Sequence, residues 1–315
     1  AGPVAGRPLF DSRGRMGNRG KGEGGGVAMG GLEPNQVGVD ETIVANSYLY
    51  SVAYLNSAVR DAVEESFIHP NFHVDHVHEM PALATWKEDL PSLDTRPPDV
   101  VCYFLSPRES SLDEFVSPKL QEVISPKDRE AATQEFVVHV THSLNVEFYA
   151  KDGRTDAFGL SHGRDLLILK TVGYAEDVVR YYSLEDMTAH VWIGHHRYPT
   201  RGRVTQPGGA HPFGQGIDCA LVHNGHFANY VSVKDYLAQR GMEPLFFTDT
   251  EVGALAFDLH RRVYGYSMEH VIESLAPTSE LDYVMLPEEK QEVYPAIQRT
   301  HIHGRPDGPR GFTIA

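Results

Sequence analysis

Apolar and polar positions fall in short blocks along the chain, and the change of period between blocks predicts its elements. CALVHNG at 219–225 is apolar and stopped by Asn-Gly, which predicts a strand entering a tight turn. SVKDYLAQRG at 232–241 repeats at helical spacing and closes on glycine, DTEVGALAFDLHRRVYG at 249–265 is an amphipathic helix with Asp and Thr at its start, and SMEHVIESLAP is a helix stopped by proline. Upstream, VVCYFL at 100–105 predicts a buried strand, AFGLSHGRDLLILKTVG a strand, turn and strand, YAEDVVRYYSL a short helix, and AHVWIGHHRYPT a strand running into HHRYPTRG. Residues 127–133 look helical and EFVVHVTHSLNVEFYAKDG at 135–153 alternates as strands do, while 41–66 has an ambiguous period and LPSLDTRPPD reads as a linker or edge turn. Strands and helices alternate with both parallel and antiparallel signals, so the chain is α/β or α+β, without internal repeat.

Composition narrows the function classes. With 315 residues, 41% of them hydrophobic, the chain can bury a full core. A formal net charge of −15 argues against nucleic acid or an anionic membrane as partner, and no apolar run approaches the ~20 residues of a bilayer span. A soluble, cytoplasmic protein is expected. Cys102 and Cys219 both sit in apolar runs and read as buried structural thiols rather than a disulfide framework. His69, His73, His76 and His78 invite a metal hypothesis, but no ligand spacing supports one, so they read as surface or interface histidines and no metal is expected. The stretch RGRMGNRGKGEGGGVAMGG at 13–31 is glycine-dense with four basic residues, yet it lacks the order of a phosphate-binding loop.

Chemistry concentrates downstream. An Arg at a strand end can clamp a carboxylate through its planar fork, and an Asp at a helix start can hold an ammonium; together they recognise an α-amino acid. An Asn amide beside a Gly N–H supplies two donors converging on one point, as a tetrahedral oxyanion requires. Each alone has a bland reading, a turn or a helix cap. Their co-occurrence carries more: GHHRYPTRG, GGAHPF, ALVHNGHFANY and FTDTEVGAL stand in the order and rough spacing of class II glutamine amidotransferases, and GPVAGRPL…MGNRGKGEGGGVAMGG resembles the opening strand, basic loop and second strand of that family. The long span before RYPT looks most like the stand-alone amidotransferase subunit of archaeal-type glutamate synthase and the related N-methylglutamate synthase. The likeness is specific over 155–275 and 1–31 and weak across 40–150.

The resemblance implies a four-layer αββα sandwich of the N-terminal-nucleophile hydrolase type, an α+β fold, as a single domain over 1–315 with an insertion at about 60–150. The apolar ending RGFTIA reads as the start of a strand, so the fold is expected to continue beyond Ala315. It further implies that Arg197 binds the α-carboxylate of L-glutamine with Thr200 and His211 shaping that wall, that Asp249 holds the α-ammonium, that Asn224 and Gly225 form the oxyanion hole, and that Arg19 and Gly20 support the loop facing the nucleophile. The family's nucleophile is an N-terminal Cys whose own amine acts as base; Ala1 stands there instead. Either an engineered Cys-to-Ala change or a natural pseudoenzyme accounts for it, and survival of the other pocket residues favours the first. The implied activity is hydrolysis of glutamine to glutamate and ammonia, with ammonia passed to a separate glutamate-synthase-type FMN subunit and a further subunit in a hetero-oligomer. FMN and an iron–sulfur cluster are expected in those partners and no cofactor in this chain. The rival readings are an amidotransferase for another acceptor and a non-catalytic glutamine-binding or assembly subunit.

Overall fold

In a computed structural model, the described residues are 2–7, 22–116, 126–197, 205–308 and 310–315. The strands are β1 (Val4–Ala5), β2 (Gly25–Leu32), β3 (Tyr48–Tyr54), β4 (Phe72–Glu79), β5 (Asp99–Pro107), β6 (Ala157–Gly163), β7 (Leu167–Thr171), β8 (Thr188–His196), β9 (Phe213–Gly214), β10 (Ala220–Gly225) and β11 (Arg310–Ile314). The helices of six residues or more are α1 (Glu41–Asn46), α2 (Glu109–Phe115), α3 (Pro126–Asn145), α4 (Ala175–Tyr181), α5 (Tyr230–Ala238), α6 (Asp249–Asp258), α7 (Met268–Leu275) and α8 (Glu288–Thr300). Three sheets form, ordered β1-β8-β2-β7, β11-β10-β9 and β4-β5-β3-β6. Every pairing among the described residues is antiparallel, so the parallel signals expected from the sequence are not realised.

The layering follows from which face each strand residue takes. Ala28, Ile168 and Ile193 of the first sheet pack on Ala220 and Val222 of the three-stranded sheet. Val27, Met29, Leu167 and Leu169 point the other way, into the large core shared with Val178 and Val179 of α4. On the far side of the three-stranded sheet, Leu221 joins that same core, and α6 packs along β10 with its whole length buried. Antiparallel sheets packed on one another and covered by helices are compatible with an α+β sandwich.

Residues 48–163 add the third sheet. In β3, Tyr48, Tyr50, Val52 and Tyr54 enter a second core while Leu49 and Ala53 enter the first, so both faces are buried. The second core is closed by α3, through Phe136, Val137, Val140 and Leu144. This corrects the strand reading of 135–153: the segment is the continuation of α3, followed by a wide turn at Val146–Ala150. Its β-branched residues suggest strand, but the buried positions recur at spacings of one, three and four, and tertiary burial of that face overrides local preference. The histidine-rich segment forms β4, at the edge of its sheet, where His73 is exposed and His76 and His78 are half-buried. Polar and charged side chains there oppose edge-to-edge association. Cys102 and Cys219 are both buried, and burial pushes each thiol up to about 12. Among the described residues no helix is long and apolar enough to cross a membrane.

Candidate active site

The glycine run that opens β2 places the site. His195 and His196 at the end of β8 lie opposite Gly26 and Gly25, and the Arg197 N–H donates to the Gly24 carbonyl at 2.8 Å. A Cβ on Gly26 would lie 2.1 Å from the His211 carbonyl oxygen, so only glycine lets the segment 207–213 approach β2 this closely. That approach brings His211 onto His195, the rings stacked with centroids 4.2 Å apart. Arg197 is buried, 3% exposed, at the point where β8 ends.

From the other side, α6 presents Asp249, Thr250 and Glu251. Its start is fixed by Thr248, whose hydroxyl accepts from the Glu251 N–H at 3.1 Å. Thr250 Oγ1 lies 2.6 Å from His211 Nε2 and 3.4 Å from His223 Nδ1. His223 Nδ1 lies 3.7 Å from Asp249 Oδ1, His226 Nδ1 lies 3.7 Å from Oδ2, and the Phe227 N–H donates to Oδ2 at 3.3 Å. The network therefore joins β8, the 207–213 segment, β10 and α6. Asn224 and Gly225 stand next to it, exposed, as the last residues of β10. They are paired in register with Gly311 and Arg310 and do not turn back as a hairpin. Gly225 has φ 142°, a value that glycine adopts far more readily than other residues, and from it the chain leaves toward α5.

Electrostatics follow from burial. Burial pushes the Arg197 guanidinium below its ordinary value, against the opposing pull of Asp249, Glu23 and Tyr149. Burial likewise drives His211 well below the usual imidazole value, helped by His195, Arg197, Lys170 and His223, so the ring is neutral. For Asp249 burial pushes the carboxyl up, but His223, the Phe227 N–H and His226 together pull it below its ordinary range, leaving it ionised. The site therefore holds one buried positive and one buried negative charge that attract each other.

Of the residues singled out by sequence, the structure joins His211 and Asp249 through Thr250 and His223, places Arg197 within their electrostatic reach, and sets Asn224 and Gly225 beside them. Ala1, Arg19, Gly20 and Thr200 lie outside the described residues. Sequence reasoning missed Lys170 and Glu251. Lys170 is 2% exposed, its ammonium 3.4 Å from the Gly208 carbonyl and 3.9 Å from the Phe213 ring centroid. Burial pushes it down to about 7 while Glu251 pulls upward and Arg197 pushes further down. Glu251 accepts the N–H groups of Leu245 at 2.6 Å and Phe246 at 2.8 Å. Burial lifts it to about 7 against those bonds and the attraction of Lys170. The available signals were a lysine inside the apolar run LLILKTVG and the T-x-x-E order of Thr248 and Glu251.

No family model matches the chain. An alignment of 300 residues covers 94% of it and 69% of an "Uncharacterized protein" of Archaeoglobus fulgidus, at 28% identity. Over 101 residues, 32% of the chain, it is 38% identical to the glutamine amidotransferase-like protein GlxB of Rhizobium meliloti, covering 33% of that protein. Over 84 residues, 26% of the chain, it is 38% identical to a glutamine–fructose-6-phosphate aminotransferase [isomerizing] of Methanosarcina mazei, covering 13% of that protein. The matched stretch thus spans a third or less of the length of these two named relatives. These partial likenesses support the presence of a glutamine amidotransferase domain.

Proposed function

We propose that the chain is the glutamine-binding subunit of an amidotransferase that releases ammonia for a separate glutamate-synthase-type partner carrying FMN and an iron–sulfur cluster. The observation that carries the reading is that Arg197 and Asp249, both buried and each within the other's electrostatic reach, stand beside Asn224 and Gly225. In the proposed complex the Arg197 fork grips the α-carboxylate of L-glutamine and Asp249 takes its α-ammonium, which aims the side-chain amide toward Asn224 and Gly225. A thiolate at position 1 would add to the amide carbon, with the electron pair moving onto oxygen and met there by the Asn224 amide and a Gly225 N–H. The N-terminal amine, having taken the thiol proton, gives it to the amide nitrogen, so that collapse expels ammonia and leaves a thioester; water then hydrolyses this to glutamate and restores the thiol.

A chain that carries Ala at its N-terminal position has no thiol there and is proposed to bind glutamine without hydrolysing it. Calorimetry with L-glutamine against D-glutamine tests the pocket: heat with the L-enantiomer alone is expected, and none with either on folded protein removes the assignment. Ala1→Cys, with a free N-terminus verified by mass spectrometry, is expected to take one equivalent of a glutamine-mimicking electrophile on that thiol and to release ammonia. A revertant that does neither, with its partner present, leaves the non-catalytic binding subunit as the reading.

A further inference from the structure

Resting on the glutamine reading, the inference concerns how a ligand reaches Asp249. The two carboxylate oxygens are not equivalent. Oδ1 faces His223, whose side chain is 1% exposed and fixed in the core against Phe227 and Phe312. Oδ2 takes the Phe227 N–H and faces His226, whose side chain is 46% exposed. Among the described neighbours of the carboxylate, His226 is therefore the one on the solvent side. At 3.7 Å its Nδ1 is too far for a proper hydrogen bond, yet the gap is too small to admit an ammonium between ring and oxygen. The backbone beneath the ring is pinned: the Ala228 N–H donates to the Asp307 carbonyl at 2.9 Å, and a Cβ on Gly308 would lie 2.6 Å from the His226 carbonyl oxygen. The ring can swing while its main chain stays.

We propose that the His226 imidazole is a displaceable cover on Asp249 Oδ2, which the α-ammonium of an incoming amino acid must move aside. His226 then sets affinity and selects for ligands whose ammonium recovers the Asp249 contact. If the ring leaves Oδ2 open about one fifth of the time, apparent affinity is lowered about fivefold.

The experiment is calorimetry at one fixed pH on the wild-type chain, His226→Ala and His226→Ser, with L-glutamine and with 4-carbamoylbutanoate, the same molecule without its α-amine. Both variants are expected to bind L-glutamine about fivefold more tightly and 4-carbamoylbutanoate as the wild type does, with unchanged melting temperature. A loss or no change for L-glutamine, or an equal gain for both ligands, overturns the cover while leaving the glutamine pocket standing. Absence of binding to either ligand in all three proteins overturns the pocket and the cover with it.

Discussion

Lys170 and Glu251 are both fully buried, yet exchanging them is expected to have unequal effects. In Glu251→Gln the two carboxylate oxygens that hold the Leu245 and Phe246 N–H groups become one oxygen and one NH2, so a buried donor faces another donor. Leaving such a group unmet costs about 1–3 kcal/mol, and losing the negative charge that faces Lys170 adds to it. A total of about 2–4 kcal/mol lowers the melting temperature by roughly 5–10 °C. Lys170→Met instead removes a buried ammonium whose hydrogen bond to the Gly208 carbonyl is 3.4 Å long, together with the cost of desolvating it, and puts a thioether near the Phe213 ring, so no loss of stability near neutrality is expected. Chemical denaturation measures both, and its pH dependence separates the two groups. Because burial lifts Glu251 from 4.5 to about 7, its contribution to stability is complete below pH 4.5 and is lost as the pH rises through about 7. Lys170 moves from 10.5 to about 7, so its contribution is complete above pH 10.5 and is lost as the pH falls through about 7. The pair thus gives a stability minimum near neutrality, with an acid limb from Glu251 and an alkaline limb from Lys170. Glu251→Gln should remove the acid limb and Lys170→Met the alkaline one. Equal tolerance of the two substitutions, or persistence of both limbs in both variants, refutes the argument.

Arg197→Lys replaces a planar fork with a point charge at the buried end of β8; L-glutamine affinity should fall by about 2–3 kcal/mol, read by calorimetry, and an unchanged affinity places the carboxylate elsewhere. Gly26→Ala sets a methyl 2.1 Å from the His211 carbonyl, so β2 and the 207–213 segment must separate. A melting temperature lowered by more than the 2–4 °C that about 1 kcal/mol produces is expected, and an unchanged one refutes the close approach.

Much of this was legible in the chain. Apolar runs marked β5, β6, β7, β8 and β10 and helical spacing marked α4 to α7, while β2 was expected from the resemblance; β5 and β7 are buried on both faces, so their burial is written as a continuous apolar run. The segment 135–153 was misread for the complementary reason: Val137, Val138 and Val140 favour a strand locally, and only the second core that α3 closes decides for helix. Arg197, His211 and Asp249 could be named because each stands in a short ordered motif. What the sequence alone could not determine was their company. Lys170 and Glu251 are 81 positions apart in the chain and Thr250 and His211 are 39 apart. Their meeting depends on β2 packing within a carbonyl's reach of the 207–213 segment and on α6 packing along β10. Desolvation, which makes those groups unlike their counterparts in water, comes from the layers stacked above them. No local pattern encodes it, since burial is a property of the assembled fold.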